Sequence, residues 1–212
     1  MCIFDYRKKV LAVSNRRLCS IPFEEQIERV CQWKPGGLIL REKDLPEEEY
    51  LLLAKEILGL CEQYDVPCIF HTYVNAAREL GGSSIHLPLP LLRRYAGTLD
   101  DFRVIGTSVH SPEEAREACG LGATYLTAGH INATDCKKGL PPRGTEFLRE
   151  VCSCVELPVY AIGGIKPEES KIQEVLDCGA AGGCLMSDMM RPEILLPPGG
   201  LQRRADDRCP QS

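Results

Sequence analysis

The chain has 212 residues, of which 44% are hydrophobic and 26% are charged, as in an ordinary globular domain with one large core. Its formal net charge of −5 excludes a global basic field that would attract nucleic acid or an anionic membrane, so any anion must bind in a local pocket. No apolar run approaches the roughly 18–20 residues that cross a bilayer, and the first residues lack a signal-peptide core, which predicts a cytoplasmic protein.

Short apolar or β-branched runs alternate with longer amphipathic segments along the chain. The predicted strands are Val10–Val13, Leu38–Arg41, Pro67–Phe70, Ser84–Leu87, Arg103–Gly106, Thr124–Leu126, Pro158–Ile162 and Gly183–Met186. The predicted helices are Ile21–Trp33, Pro46–Tyr64, Asn75–Leu80, Leu89–Tyr95, Pro112–Gly120, Phe147–Val155 and Lys166–Gly179. This count predicts a single-domain (β/α)8 TIM barrel over residues 1–190, with an open doubly wound sheet as the alternative.

Capping residues support two of these helices, and a change in pattern marks the end of the domain. Ser20 is the expected N-cap of the first helix. Ser111, followed by Pro112 and by Glu114 three residues after the serine, is typical of a capping box. Residues 191–212 contain neighbouring prolines and glycines without periodicity, which predicts an irregular or disordered tail.

Basic, imidazole and glycine groups follow the predicted strands, at the end where barrels bind ligands. Gly163 and Gly164 come directly after the seventh strand, and a helix expected to start near Ser187 follows the eighth. Glycines let the backbone approach a ligand closely, and a helix start offers free N–H groups. These residues are therefore the predicted phosphate site, with a simple tight turn as the alternative.

The longest loop, Leu126–Phe147, lies between the sixth strand and the next helix and is rich in charged residues. Within it, His130 is the predicted proton-transfer residue, since a neutral imidazole can take up and return a proton near pH 7. Of the other histidines, His71 is expected to line the pocket, whereas His86 and His110 are interpreted as structural.

The twelve cysteines are scattered and form no CxxC pair, so most are expected to be small core residues. Cys136, inside the long loop, is the thiol most expected to be exposed. Because Glu42 and Asp44 lie beside a lysine or arginine and Asp135 lies two residues before Lys137, no required metal is predicted.

Five spaced motifs resemble those of the thiamine phosphate synthase and TenI superfamily. They are ILREKDL (39–45), IHLPLPLL (85–92), GTSVHSPEEA (106–115), GHINATDCKKG (129–139) and AIGGIKPE (161–168), and the resemblance covers roughly residues 9–190. It implies a (β/α)8 barrel that binds phosphorylated thiazole or pyrimidine intermediates of thiamin synthesis.

The departures from the synthase pattern decide the predicted branch. Synthases join a pyrimidine pyrophosphate to a thiazole phosphate with Mg²⁺, and they typically carry an Asn-Asp pair where this chain has His71-Thr72. They also carry HLGQ followed by an Asp where this chain has HLPLPLL. These differences, together with His130 in place of a proline, look like the TenI branch. The resemblance therefore predicts a metal-independent thiazole tautomerase that aromatises a carboxythiazole phosphate tautomer.

On this interpretation His130 is the acid and base, while Arg41, Lys43, His71, Ser108 and Lys137 contact the substrate and Gly163, Gly164 and Ser187 hold its phosphate. The partner is a small phosphorylated thiazole, with no cofactor, nucleic acid or membrane, and a homo-oligomer is left open. The alternatives are the Mg²⁺-dependent thiamine phosphate synthase and a non-catalytic sensor of phosphorylated ligands.

Overall fold

A computed structural model describes residues 5–134 and 139–195 of the chain. Eight strands alternate with seven helices along these residues. The strands are β1 (Val10–Val13), β2 (Gly37–Leu40), β3 (Cys68–His71), β4 (Ser84–Pro88), β5 (Val104–Val109), β6 (Tyr125–Gly129), β7 (Val159–Ile162) and β8 (Gly182–Leu185). The helices are α1 (Phe23–Trp33), α2 (Glu47–Gln63), α3 (Val74–Glu79), α4 (Leu89–Tyr95), α5 (Pro112–Gly120), α6 (Gly144–Ser153) and α7 (Glu169–Leu176).

The strands form one closed parallel barrel in chain order, which confirms the predicted (β/α)8 fold. Parallel pairing of β8 with β1, with Cys184 opposite Leu11, closes the ring. Because every strand runs the same way, the loops that leave the eight strand ends meet on one face of the barrel. That face is where the predicted site residues were expected to converge.

The apolar residues separate into two clusters on the two faces of the strands. The larger cluster lies between the strands and the surrounding helices, and includes Leu38, Leu40 and Ile57. The smaller one fills the barrel interior with Leu11, Val13, Ile39, Ile69, Tyr125 and Cys184. This alternation along each strand packs the interior as a core rather than a channel.

Several predicted boundaries differ from the structure. The first helix begins at Phe23 with Pro22 at its N-cap, so the prediction of Ser20 as the cap is wrong. By contrast Ser111 does cap α5, its Oγ accepting a hydrogen bond from the Glu114 N–H at 3.2 Å. Strands β5 and β6 extend three residues beyond the predicted Gly106 and Leu126.

The chain after β8 was expected to start a helix and then become irregular. Residues 187–190 instead form a turn, in which the Met190 N–H donates to the Met186 carbonyl at 3.2 Å. A short 3-10 helix, Pro192–Ile194, follows, and Leu195 is buried beside the core. The rest of the predicted tail, residues 196–212, lies outside the described residues.

Two further observations concern the helices and the thiols. Among the described residues, none of the helices is long and apolar enough to cross a membrane. The nine cysteines of the described residues are all free thiols, and Cys136 lies outside those residues.

Candidate active site

A cavity of about 690 Å³ opens at the carboxyl ends of the strands. With one exception, the residues predicted for the site line this single cavity. They are Arg41, Lys43, His71, Ser108, His130, Gly163, Gly164 and Ser187. The exception is Lys137, which lies outside the described residues. Barrel closure thus brings together residues that are more than a hundred positions apart in sequence.

Two cations, Arg41 and Lys43, enter the cavity from the end of β2. Ile39 and Arg41 line the cavity as alternate residues at the end of β2, and Lys43 lines it from the turn that follows, where the Leu45 N–H donates to the Glu42 carbonyl at 3.3 Å. Within residues 5–134 and 139–195, neither cation has a carboxylate within ion-pair distance. Burial, and then the charge of Arg41, lowers the pKa of Lys43. Two cations held close together without a counter-ion favour binding of a multivalent anion.

A second anion-binding feature is the turn after β7. Gly163 and Gly164 adopt positive φ angles of 103° and 65°. No backbone carbonyl of the described residues accepts from the N–H of either glycine. Free N–H groups in such a turn form a concavity that suits a phosphate group. This arrangement is consistent with the predicted phosphate site.

His130 lies directly above this turn. A Cβ atom built on Gly163 would come within 2.4 Å of the His130 Cβ, so the two residues are in close contact. Although it lies in a loop rich in charged residues, His130 is buried, with 6% of its surface exposed. Its Nε2 is 3.4 Å from the Leu140 carbonyl oxygen. The imidazole is therefore part of the cavity wall.

Backbone hydrogen bonds fix both ends of the loop that carries His130. The Ile131 N–H donates to the Ile162 carbonyl at 2.9 Å, and the Asn132 N–H donates to the Gly163 carbonyl at 3.1 Å. On the return, the Arg143 N–H donates to the His130 carbonyl at 3.0 Å. The base of this loop is thus tied to the β7 turn, which keeps the imidazole next to the candidate phosphate site.

His71 presents a neutral imidazole to the cavity at the end of β3. It is 5% exposed, and its Nδ1 is 2.6 Å from the Thr72 Oγ1. Burial lowers its pKa well below the usual range, helped by His86 and by the Lys43 and Arg41 charges. Thr72 has φ of 72°, which is rare for a β-branched residue. Strain of this kind is often concentrated at functional sites.

A chain of hydrogen-bonded side chains crosses the floor of the cavity. The His86 ring stacks on that of His71 with centroids 5.5 Å apart. Its Nδ1 is 2.9 Å from the Tyr125 hydroxyl, and its Nε2 is 2.9 Å from the Ser108 Oγ. Thr127 Oγ1 in turn donates to Ser108 at 2.9 Å. Burial, reinforced by Lys43 and Arg41, lowers the pKa of His86 to about 3, so this floor is uncharged at neutral pH.

The depressed pKa of His86 predicts how stability depends on pH. The unfolded chain takes up a proton at this residue below about pH 6.5, and the folded chain does not until about pH 3. The free energy of unfolding should therefore fall with falling pH in this window. His86 should account for up to about 1.4 kcal/mol of that loss per pH unit.

Denaturant unfolding of wild type and His86→Gln between pH 7.5 and pH 4.5 would check this expectation. The glutamine amide can replace both hydrogen bonds, but it does not titrate. The variant should therefore lose stability less steeply below about pH 6.5, while the two curves run parallel above it. Equal slopes throughout the range would contradict the assignment of a neutral, buried His86.

On the β8 side, Ser187 and Asp188 lie on the turn that replaces the expected helix. Asp188 is 6% exposed and accepts two hydrogen bonds from the Lys166 Nζ, at 3.1 and 3.2 Å. Arg191 lies 4.0 Å from the same carboxylate. No helix forms, but within the described residues no backbone carbonyl accepts from the Ser187 or Asp188 N–H, so these groups are as free as those of a helix start. Ser187 thus reaches the cavity from a turn that the Lys166–Asp188 pair holds.

The resemblance to synthases implies Mg²⁺, an ion with a clear preference for certain ligands. Magnesium takes oxygen ligands and is usually held by one or two carboxylates. The described ends of β3 and β4 instead offer His71, Thr72 and Pro88. The cavity carboxylates of the described residues are Glu114 and Asp188, and Asp188 is already paired with Lys166. No group of three His, Cys, Asp or Glu residues suitable for a metal occurs in the described ranges, so these residues do not fit Mg²⁺.

Sequence reasoning missed several groups that shape the cavity. His86 was interpreted as structural, yet it lines the cavity beside His71. Thr127 and the Lys166–Asp188 pair were not singled out at all. The signal for Thr127 was available, because it comes directly after a predicted strand, much as Ser108 comes two residues after one. The Lys166–Asp188 pair joins two loops, and only the closed fold makes it visible.

Comparisons with known proteins show the family to which the chain belongs. The family profile described as "Thiamine monophosphate synthase" (TMP-TENI) matches residues 10–189. The thiamine-phosphate synthase of Pyrococcus horikoshii is 34% identical over 198 residues, which are 90% of each chain. That of Halalkalibacterium halodurans is 34% identical over 160 residues, covering 73% of this chain and 74% of the relative. A solved structure, thiamine phosphate pyrophosphorylase from Pyrococcus furiosus, matches with a TM-score of 0.73 at 28% identity. The match covers 90% of this chain and 91% of the Pyrococcus furiosus chain.

These findings correct the predicted activity. The curated relatives named here are thiamine-phosphate synthases, and their similarity extends over most of the chain. The tautomerase prediction is therefore wrong, and the synthase alternative is better supported. The predicted superfamily itself is confirmed. With a family profile that spans most of its length and relatives above 30% identity, the chain belongs to the thiamine monophosphate synthase family of thiamine biosynthesis.

Proposed function

We propose that this protein is a thiamine phosphate synthase, which joins a pyrimidine pyrophosphate to a thiazole phosphate. The observation that carries the proposal is the 34% identity with the Pyrococcus horikoshii synthase over 90% of both chains. In this reaction the bond between the exocyclic carbon of the pyrimidine and the pyrophosphate oxygen breaks. The thiazole nitrogen supplies the electron pair of the new C–N bond, and pyrophosphate leaves with the electrons of the old one.

Arg41 and Lys43 supply the charge that the leaving group requires. Negative charge grows on the pyrophosphate oxygens as the C–O bond breaks, and fixed cations that meet this charge lower the barrier. Both cations lie in the cavity without a carboxylate partner among the described residues. Five cationic side chains of the described residues line the cavity, against two carboxylates. They are Arg41, Lys43, Arg93, Lys166 and Arg191, against Glu114 and Asp188.

The turn after β7 is the proposed site for the phosphate of the thiazole substrate. Gly163 and Gly164 provide N–H groups that no backbone carbonyl of the described residues accepts from, with Ser187 on the neighbouring loop and His130 in contact with Gly163. Lys137 is proposed as an additional cation for this phosphate, from the sequence alone. The coupling moves no proton between carbon atoms, so His130 is proposed here as a contact for the thiazole phosphate rather than as an acid and base.

The uncharged floor of the cavity suits the reacting pyrimidine. His71 and His86 are neutral at pH 7 because burial lowers the pKa of each, and Ser108 adds a hydroxyl group. Both ring nitrogens of His86 already have partners, so the His71 imidazole and the Ser108 hydroxyl are the groups proposed to form hydrogen bonds with the ring nitrogens or the amino group of the pyrimidine. Positive charge develops on the pyrimidine carbon as pyrophosphate leaves. A neutral floor avoids the repulsion that protonated imidazoles would cause there.

The proposal is tested by supplying the pyrimidine pyrophosphate and the thiazole phosphate together to the purified protein. Thiamine phosphate and pyrophosphate should form in equal amounts, and neither should appear when one substrate is omitted. Parallel reactions with MgCl₂ and with EDTA measure the metal requirement separately. Failure to form thiamine phosphate in both buffers, by protein shown to be folded, would overturn the proposal.

A further inference from the structure

Between Arg41 and Lys43 in the sequence lies a buried carboxylate, Glu42. Its side chain is 1% exposed, and it does not line the cavity that Arg41 and Lys43 enter. Its carboxylate points away from the cavity, toward the Ser14 hydroxyl. A buried carboxylate is costly unless it is paired and hydrogen-bonded, so its partners indicate what it does.

The partners of Glu42 lie on the neighbouring loop after β1. The Ser14 hydroxyl donates to Oε1 at 2.7 Å, and the Arg16 N–H donates to both carboxylate oxygens at 3.1 Å. The Arg16 Nη1 adds a further hydrogen bond to Oε2 at 3.2 Å. These bonds hold the segment after β2 against the segment after β1. The Asp44 carboxylate also accepts two hydrogen bonds from the Arg16 guanidinium, both at 2.7 Å, at the exposed side of this network.

Ser14 connects this carboxylate directly to a cavity cation. While its hydroxyl hydrogen is donated to Glu42, its Oγ accepts a hydrogen bond from the Arg41 N–H at 2.8 Å. Ser14 is fully buried, and its own N–H donates to the Ile39 carbonyl at 2.9 Å. The backbone of Arg41 is thus fixed from one side by Ser14, which Glu42 in turn orients.

We propose that Glu42 is a positioning residue, which acts through Ser14 to hold Arg41 and Lys43 at the separation that a pyrophosphate group requires. The inference rests on the proposed function, because it takes these two cations as the pyrophosphate site. The hydrogen bonds of the Glu42 carboxylate fix the backbone after β2, so that Arg41 and Lys43 stay in one cavity although their charges repel. Without the Glu42 carboxylate, the residues after β2 are free to rotate, and Arg41 and Lys43 can move apart.

The direction in which Glu42→Gln changes the affinity for pyrophosphate shows whether Glu42 acts by positioning the cations or only through its own charge. Glu42 is a negative charge close to an anion site, so its own field opposes binding of pyrophosphate. If it acted only through this field, Glu42→Gln would bind pyrophosphate more tightly than wild type. If it positions the cations, the same change weakens binding. A glutamine presents one acceptor and one donor group to partners that all donate, so the clamp cannot be rebuilt.

The test is calorimetric titration with inorganic pyrophosphate of wild type, Glu42→Gln, Ser14→Ala and Asp44→Asn. Glu42→Gln and Ser14→Ala should each weaken binding about tenfold or more. Asp44→Asn is the matched control, since it removes a charge from the outer, exposed part of the same network. It should stay within about twofold of wild type, as exposed ion pairs contribute little.

Steady-state kinetics supply a readout that lost stability alone would not produce. The KM for the pyrimidine pyrophosphate should rise in Glu42→Gln, while the KM for the thiazole phosphate stays unchanged. Ser14→Ala, which keeps every charge, covers the case in which Glu42→Gln does not fold. Equal or tighter pyrophosphate binding by a folded Glu42→Gln or Ser14→Ala variant would overturn the inference alone. Wild type that binds no pyrophosphate would overturn this inference, whereas the proposed function is decided separately by the formation of thiamine phosphate.

Discussion

Replacing Gly163 by alanine is expected to abolish phosphate binding at the turn after β7 and to destabilise the fold by about 2–5 kcal/mol. The φ of Gly163 is 103°, a conformation that L side chains rarely adopt. An alanine Cβ would also lie 2.4 Å from the His130 Cβ and 2.9 Å from its Cα. Backbone cannot move aside as a flexible side chain can. The turn and the His130 loop must therefore separate, which moves apart the N–H groups that we propose to bind the phosphate.

Gly122→Ala is the matched control for this experiment. Gly122 has a similar φ of 88°, but a Cβ there would meet nothing within 4 Å. It should therefore show only the conformational cost of about 1–2 kcal/mol and bind phosphate normally. Denaturant unfolding gives the stabilities, and titration with inorganic phosphate at a temperature where both variants are folded gives the affinities. Phosphate binding by folded Gly163→Ala as tight as wild type would show that the phosphate does not bind at this turn.

The barrel could be predicted from sequence because each strand is short, apolar and followed by a helix with a recognisable start. The predictions were less accurate where strands carry polar residues. Strand β5 continues through Thr107 and Ser108, and β6 continues through Thr127, because the upper barrel interior is polar where it lines the cavity. Polar residues at a strand end resemble a loop when only the sequence is considered.

The residues of the candidate site could be predicted individually, but their pairing could not. Arg41 and Lys43 were identified by their position after a strand, whereas the Ser14–Glu42 hydrogen bond joins residues 28 positions apart. Alternation along the strand would have placed Glu42 on the opposite side from its neighbours. The stacking of His71 on His86, and the left-handed φ of Thr72 that accompanies it, depend on the closeness of β3 and β4. The sequence alone does not show which residues of β3 lie opposite which residues of β4.

Arg41→Gln is expected to lower kcat/KM for the coupling of the two substrates by about 100-fold or more. The guanidinium can bind two phosphate oxygens at once, and it gains strength as charge develops on the leaving pyrophosphate. Arg41→Lys should recover only part of this loss, because an ammonium group keeps the charge but not the planar fork. Fold stability should change little, since the side chain has no ion-pair partner among the described residues.

The control for Arg41→Gln is Arg149→Gln on helix α6. Arg149 is half exposed, lies outside the cavity lining, and loses only an exposed pair with Glu146 at 3.4 Å. Its kcat/KM should therefore equal that of wild type. Rates measured over a range of salt concentration add a second check, since the salt dependence of pyrophosphate binding should be weaker in Arg41→Gln. Full activity in Arg41→Gln would mean that groups other than Arg41 stabilise the leaving pyrophosphate. The proposed role of Arg41 and Lys43 would then be wrong.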